Sequence, residues 1–185
     1  MNYKQLTKIR FPNPRNININ MMPIIMGNAN SIPLEFRHYN SLICESLGHL
    51  NNKNEHLNQI GFLSVQESIV EHNKSQRRPG IHIEATEFGW GNGWGKGNNL
   101  NDGIFMCSTT SSCRIWNPVH VMEPNYLYWL TDQTLHESIV NEGPTFYRQW
   151  FRLVTKKVDG WFSRHSTNNP KVQLPKKLII TSSKF

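Results

Sequence analysis

His82 and Glu84 stand two residues apart in the stretch IHIEATEFG. In a β-strand, residues i and i+2 project from the same face. An imidazole and a carboxylate so placed can reach one divalent cation, while Ile81 and Ile83 turn the other way. Two ligands do not complete a site. His136, in WLTDQTLHESI, is the best-placed third, because it follows an aromatic-aliphatic run and sits near a turn. Two histidines and one carboxylate, with other positions left open, form the facial arrangement that suits non-haem Fe(II) and O₂ chemistry. The following strand-like run, FYRQWFRLV, alternates so that Phe146, Arg148, Trp150, Arg152 and Val154 share a face. A guanidinium among apolar neighbours is costly without an anionic partner, and its planar fork matches a carboxylate. Arg148 and Arg152 are therefore candidates to clamp a dicarboxylate co-substrate beside the metal, with Arg148 the stronger.

These residues need a scaffold of short strands. From Gly61 onward the runs GFLSVQESIV, GIHIEA, DGIFMCSTT, SCRIWNPVHVM, NYLYWLTD and YRQWFRLVT are separated by Gly, Pro, Asn, Asp or Ser clusters. Many short strands without long intervening helices predict an all-β sandwich or barrel. Before them, HYNSLICESLGHL spaces Leu42, Ile43, Leu47 and Leu50 along one helical face, which predicts a peripheral helix. Residues 1–30, with Pro12, Pro14 and Pro23 among asparagines and methionines, read as an extended N-terminal arm. Residues 31–185 read as one domain that ends in a short peripheral tail.

With 185 residues, 37% of them hydrophobic, the chain can bury one core of ordinary size. The N-terminal stretch has no continuous apolar region followed by small residues, so it does not read as a secretory signal. Three cysteines, Cys44, Cys107 and Cys113, make an odd number and argue against a disulfide framework. The expectation is a reducing, cytoplasmic setting without a membrane span. Net charge is +7. The charge is dispersed and no basic run is interleaved with aromatics, so a nucleic-acid partner is not favoured.

The order His82-x-Glu84, then His136, then Arg148 on the next strand resembles the 2-oxoglutarate/Fe(II)-dependent oxygenase superfamily. NYLYWLTDQTLHESIVNEGPTFYRQWFRLV is similar to its closing hairpin, in which a strand leads to the distal histidine and the arginine strand returns. The resemblance implies a double-stranded β-helix (jelly roll, cupin-like). It implies Fe(II) held by His82, Glu84 and His136, and 2-oxoglutarate bound through its distal carboxylate on Arg148. It further implies a dioxygenase that hydroxylates a substrate with succinate as co-product. Arg152 maps onto a second arginine that contacts an acidic substrate in some members. Glu84 departs from the commoner aspartate. No subfamily or prime substrate follows, beyond a small-molecule or protein substrate with a lean toward an anionic one.

Two other readings stay open. One is a cupin-type barrel that binds metal without 2-oxoglutarate chemistry. The other is a non-enzymatic β-sandwich in which the His/Glu set is fortuitous. The loop WGNGWGKG fails the Walker A pattern, because Trp90 stands where its first Gly belongs and Gly97 where its hydroxyl belongs. It reads either as a hinged aromatic lid or as a surface loop packed on the barrel. Cys107 and Cys113 read as buried small apolar residues. SQRRPGIHIEA and VDGWFSRHSTNNP stand out as strings without an assigned role.

Overall fold

A computed structural model describes residues 2–84, 103–155, 158 and 160–182. The chain is mostly antiparallel β-sheet with few helices. Strands β1 (Tyr3–Lys8), β2 (Asn18–Ile25), β3 (Ile60–Val70), β4 (Ile104–Ser108), β7 (Tyr126–Leu130) and β9 (Phe146–Val154) form a six-stranded sheet in the order β1-β7-β4-β9-β3-β2. Strands β5 (Cys113–Ile115), β6 (His120–Val121) and β8 (His136–Ser138) form a three-stranded sheet in the order β6-β5-β8. His82 bridges His136 antiparallel at the free edge of β8. Two short strands, β10 (Trp161–Phe162) and β11 (Ile179–Ile180), pair in parallel near the C-terminus. Helices α1 (Asn40–Gly48) and α2 (Lys53–His56) lie between β2 and β3. No helix among the described residues is long and apolar enough to cross a membrane.

β9 explains how one sheet serves two cores. It is central, flanked by β4 and β3, and every residue from Arg148 to Val154 is buried. Both faces are covered, so exposure does not alternate along it although side-chain direction does. Phe151 and Leu153 face a cluster with Tyr39, Leu42, Ile43 and Leu47 of the helical layer. Trp150 and Val154 face the other way, toward Cys113, Ile115 and Met122 of the small sheet side. Burying one such large side chain stabilises by roughly 1.5–3 kcal/mol relative to leaving it in water. The expected helix buries Leu42, Ile43 and Leu47, while Leu50 is buried just past its end at Gly48. Cys107 and Cys113 are buried free thiols in these two separate clusters.

The expected N-terminal arm is extended, but much of it belongs to the sheet. β1 pairs with β7 and β2 with β3, so residues 1–30 supply both edges. The reason is local: NINMMPII is apolar enough to be covered, and an edge position tolerates Pro23, which cannot donate to a ladder. The buried Glu67 carboxylate ties the intervening segment down, accepting from the Arg15 and Ile17 backbone N–H at 2.7 and 2.8 Å and from Tyr39 Oη at 2.6 Å. The tail is fastened similarly, by buried Asn169, whose amide donates to Pro23 O and Ser31 O.

A cationic cavity at the His82–His136 bridge

Between the two sheets, on the Trp150 face of β9, lies a cavity of about 280 Å³. Its lining includes His82, Glu84, His136, Arg77, Trp150 and Arg152. The two histidines are brought together by the backbone. His82 and His136 exchange N–H···O bonds of 3.0 and 2.9 Å, and Glu84 N–H donates to Asp132 O at 3.1 Å. His82 forms a single bridge and Glu84 sits at a bend, and His82, Ile83 and Glu84 all line the cavity, so Ile83 does not turn away from it as expected. The imidazole centroids are 4.6 Å apart.

Each histidine is oriented by a carbonyl two residues before it. His82 Nδ1 lies 2.7 Å from Gly80 O and His136 Nδ1 lies 2.8 Å from Thr134 O. A carbonyl can only accept, so both Nδ1 atoms carry the proton in the neutral rings and Nε2 is left as the lone-pair donor. That is the tautomer found in metal-ligating histidines whose other nitrogen is held by a backbone carbonyl. Burial pushes the His82 pKa below the ordinary histidine value, helped by neighbouring His136 and Arg78, and against the Gly80 hydrogen bond and Glu84. The ring therefore favours its neutral, donor form.

Glu84 lies beside His136 and is shared with Arg152. Its Oε1 lies 3.6 Å from His136 Nε2 and 2.5 Å from Arg152 Nη1. Among the described residues, no group of three or more His, Cys, Asp or Glu is arranged to hold a metal ion. As it stands, the carboxylate is drawn onto the guanidinium, not midway between the two rings.

The two candidate arginines differ in their partners. Arg152 reaches Glu84 and, at 3.4 Å, Ser64 Oγ. Arg148 is fully buried, on the strand after the one bearing His136. It donates to Ser108 Oγ at 2.8 Å, Ser138 Oγ at 3.3 Å and Cys113 Sγ at 3.0 Å, all neutral acceptors. Cys113 and Ser138 themselves line the cavity, so Arg148 sits just behind its wall.

Several lining residues were not foreseen. Asn20 and Met21 arrive through an irregularity in the β2–β3 register between Ile19 and Met22, where Met21 has φ +48°. A bulge of this kind re-aims side chains. Ser64 Oγ satisfies the Met21 N–H, and Trp161 Nε1 donates to Met21 O. Arg77 and Arg78 come from SQRRPGIHIEA, and His165 from VDGWFSRHSTNNP. Those two strings were visible as oddities, but nothing along the chain said that they meet. The WGNGWGKG loop lies outside the described residues. Comparison of the chain with protein-family models, with curated proteins and with solved structures returned no match.

Proposed function

We propose that the chain is a jelly-roll Fe(II)- and 2-oxoglutarate-dependent oxygenase of hydroxylase type. The observation that carries this reading is the pairing of two features at one cavity, one on its wall and one just behind it. His82 and His136 are held with Nε2 as lone-pair donor, Glu84 lies beside His136, and the Arg148 guanidinium is buried behind them with only neutral partners among the described residues. The path of the chain supports the jelly-roll part. From β3 to the His82 bridge, β4, β5, β6, β7, β8 and β9, it winds back and forth between the two sheets. Such crossing between two antiparallel sheets is what a double-sheet jelly roll would require.

The donor set fits a divalent transition metal: two imidazoles with backbone-fixed tautomers and one carboxylate. His82, His136 and Glu84 would hold Fe(II), which would supply O₂ activation coupled to oxidative decarboxylation of 2-oxoglutarate. The chain's own contributions are positional and electrostatic. Gly80 O and Thr134 O fix the ring planes. Arg152 positions Glu84, and loading requires the carboxylate to turn from it or be shared with it. Arg148 would lend its charge to the distal carboxylate, exchanging its bonds to Ser138 and Cys113 for the carboxylate oxygens. Met21, Met106 and Trp150 make part of the wall apolar and limit water.

The test is titration of 2-oxoglutarate into anaerobic Fe(II)-loaded protein, followed through the metal-to-ligand charge-transfer absorption. A saturable band that Arg148→Met weakens supports the reading. Metal binding without a band would move the protein to the cupin-type alternative. Absence of metal binding would leave a non-enzymatic β-sandwich in which the His/Glu set is fortuitous, the reading that the Arg152–Glu84 pair favours.

A further inference from the structure

Arg77 meets no carboxylate among the described residues. Its guanidinium donates to Gln66 Oε1 at 3.2 Å and Asn20 Oδ1 at 3.4 Å, and its Cζ lies 4.3 Å from the centre of the Trp150 ring. The two acids that line the cavity are engaged elsewhere, Glu84 with Arg152 and Glu137 with Arg114 at 3.0 Å. Arg77 is thus a cation held flat on an aromatic face, with amide oxygens on two donors and the cavity before it. Burial, together with the nearby Arg152 and Arg148 charges, lowers its pKa to about 10 against the pull of Glu84. It is still charged at neutral pH, but at a cost that a bound anion would relieve.

Charge balance points the same way. Arg77 and Arg152 lie over the Trp150 ring with the Arg148 charge nearby, and among the described residues Glu84 is the one acid paired within that group, so the described lining carries a surplus of positive charge. A metal dication and a 2-oxoglutarate dianion cancel each other, so loading the site does not remove the surplus. Arg78 adds a further exposed cation to the lining. Resting on the oxygenase reading, we propose that the prime substrate is an anion whose carboxylate or phosphate docks on Arg77, at a position separate from the 2-oxoglutarate subsite. The cavity volume of about 280 Å³ suits a small molecule or the anionic tip of a larger one.

The experiment uses the full chain without metal and two probe anions, inorganic phosphate and acetate, titrated by calorimetry. Wild type is expected to bind at least one of them, and the stronger probe identifies the headgroup chemistry. Arg77→Met keeps the packing on Trp150 but loses the charged donors, and should weaken binding about 10- to 100-fold. Arg77→Lys should recover part of the loss. An unliganded melting temperature like wild type shows that the variant folds. No anion binding by wild type, or equal binding by wild type and Arg77→Met, overturns the proposal.

The second arm repeats the phosphate titration on anaerobic Fe(II) protein saturated with 2-oxoglutarate. The charge-transfer band should persist in wild type with phosphate present, and in Arg77→Met. Displacement of the band by phosphate would mean that the anion occupies the co-substrate's place, which also overturns the proposal. Wild type that shows no band but binds phosphate through Arg77 would sink the oxygenase reading alone and keep the anion site.

Discussion

The Arg152 guanidinium lies 2.5 Å from Glu84 Oε1, and the same oxygen lies 3.6 Å from His136 Nε2. Both partners of the ion pair are almost entirely buried, with side-chain exposures of 7% and 11%. Removing one partner of such a pair leaves an uncompensated charge, which typically costs about 3–5 kcal/mol. Glu84→Ala should therefore unfold at lower urea, with a loss of about 3 kcal/mol. Arg152→Met introduced beside Glu84→Ala should return much of that loss, because an apolar side chain replaces the cation that lost Glu84. Simple additivity of the two substitutions would mean that the pair is not coupled.

Arg148 makes the opposite prediction. It is a buried cation whose partners are the neutral Ser108, Ser138 and Cys113 side chains. Among the described residues it has no counter-ion, and burying an ion carries a desolvation cost that an apolar side chain of similar length removes. Arg148→Met should hold wild-type stability within about 1 kcal/mol while losing 2-oxoglutarate affinity by about 30-fold or more. A large drop in denaturation midpoint would assign Arg148 a structural role instead.

Fe(II) should raise the melting temperature if it binds the native state alone. At a free concentration 100-fold above Kd the gain is about 2.7 kcal/mol. His82→Ala and His136→Ala should each abolish most of it, and His72→Ala should leave it intact, since His72 faces the Gly143 carbonyl on an exposed loop. An equal shift in wild type and His82→Ala would place the metal elsewhere.

Acid stability should depend on Glu67. Burial pushes its pKa up, but hydrogen bonds from Tyr39, the Ile17 and Arg15 backbone and Gln149 outweigh that and hold it below the ordinary value. Because the folded-state pKa is lower than the unfolded one, the unfolded chain takes up the proton first. The contribution is complete above the unfolded value of about 4.3 and is lost as pH falls through the folded value. Glu67→Gln should cost about 2–3 kcal/mol at pH 7 and flatten the acid limb of a stability–pH curve. An unchanged acid limb would show that other carboxylates govern it.

Much of the strand content and the first half of the site were legible in one dimension. The two-residue period places Arg148, Trp150 and Arg152 on one face of β9. Helical spacing likewise picked out Leu42, Ile43 and Leu47, which are buried in α1. These readings succeed because period and face are set by the backbone of a single segment.

What lay beyond the sequence was partnership. Nothing in the spacing distinguishes Arg152, neutralised by Glu84, from Arg148, held by two hydroxyls and a thiol. That difference depends on which strands lie opposite each residue in the packed sheets. Arg77 reaches Trp150, Met21 enters through a bulge, and His165 arrives from the tail, each from a segment remote from the histidines. Residues 3–8 and 18–25 read as an arm because extended chain has one appearance until its hydrogen-bond partners are known, and here those partners are β7 and β3. Local periodicity assigns a residue to a face, whereas the identity of the group across a cavity is a non-local contact that only the packing of the two sheets decides.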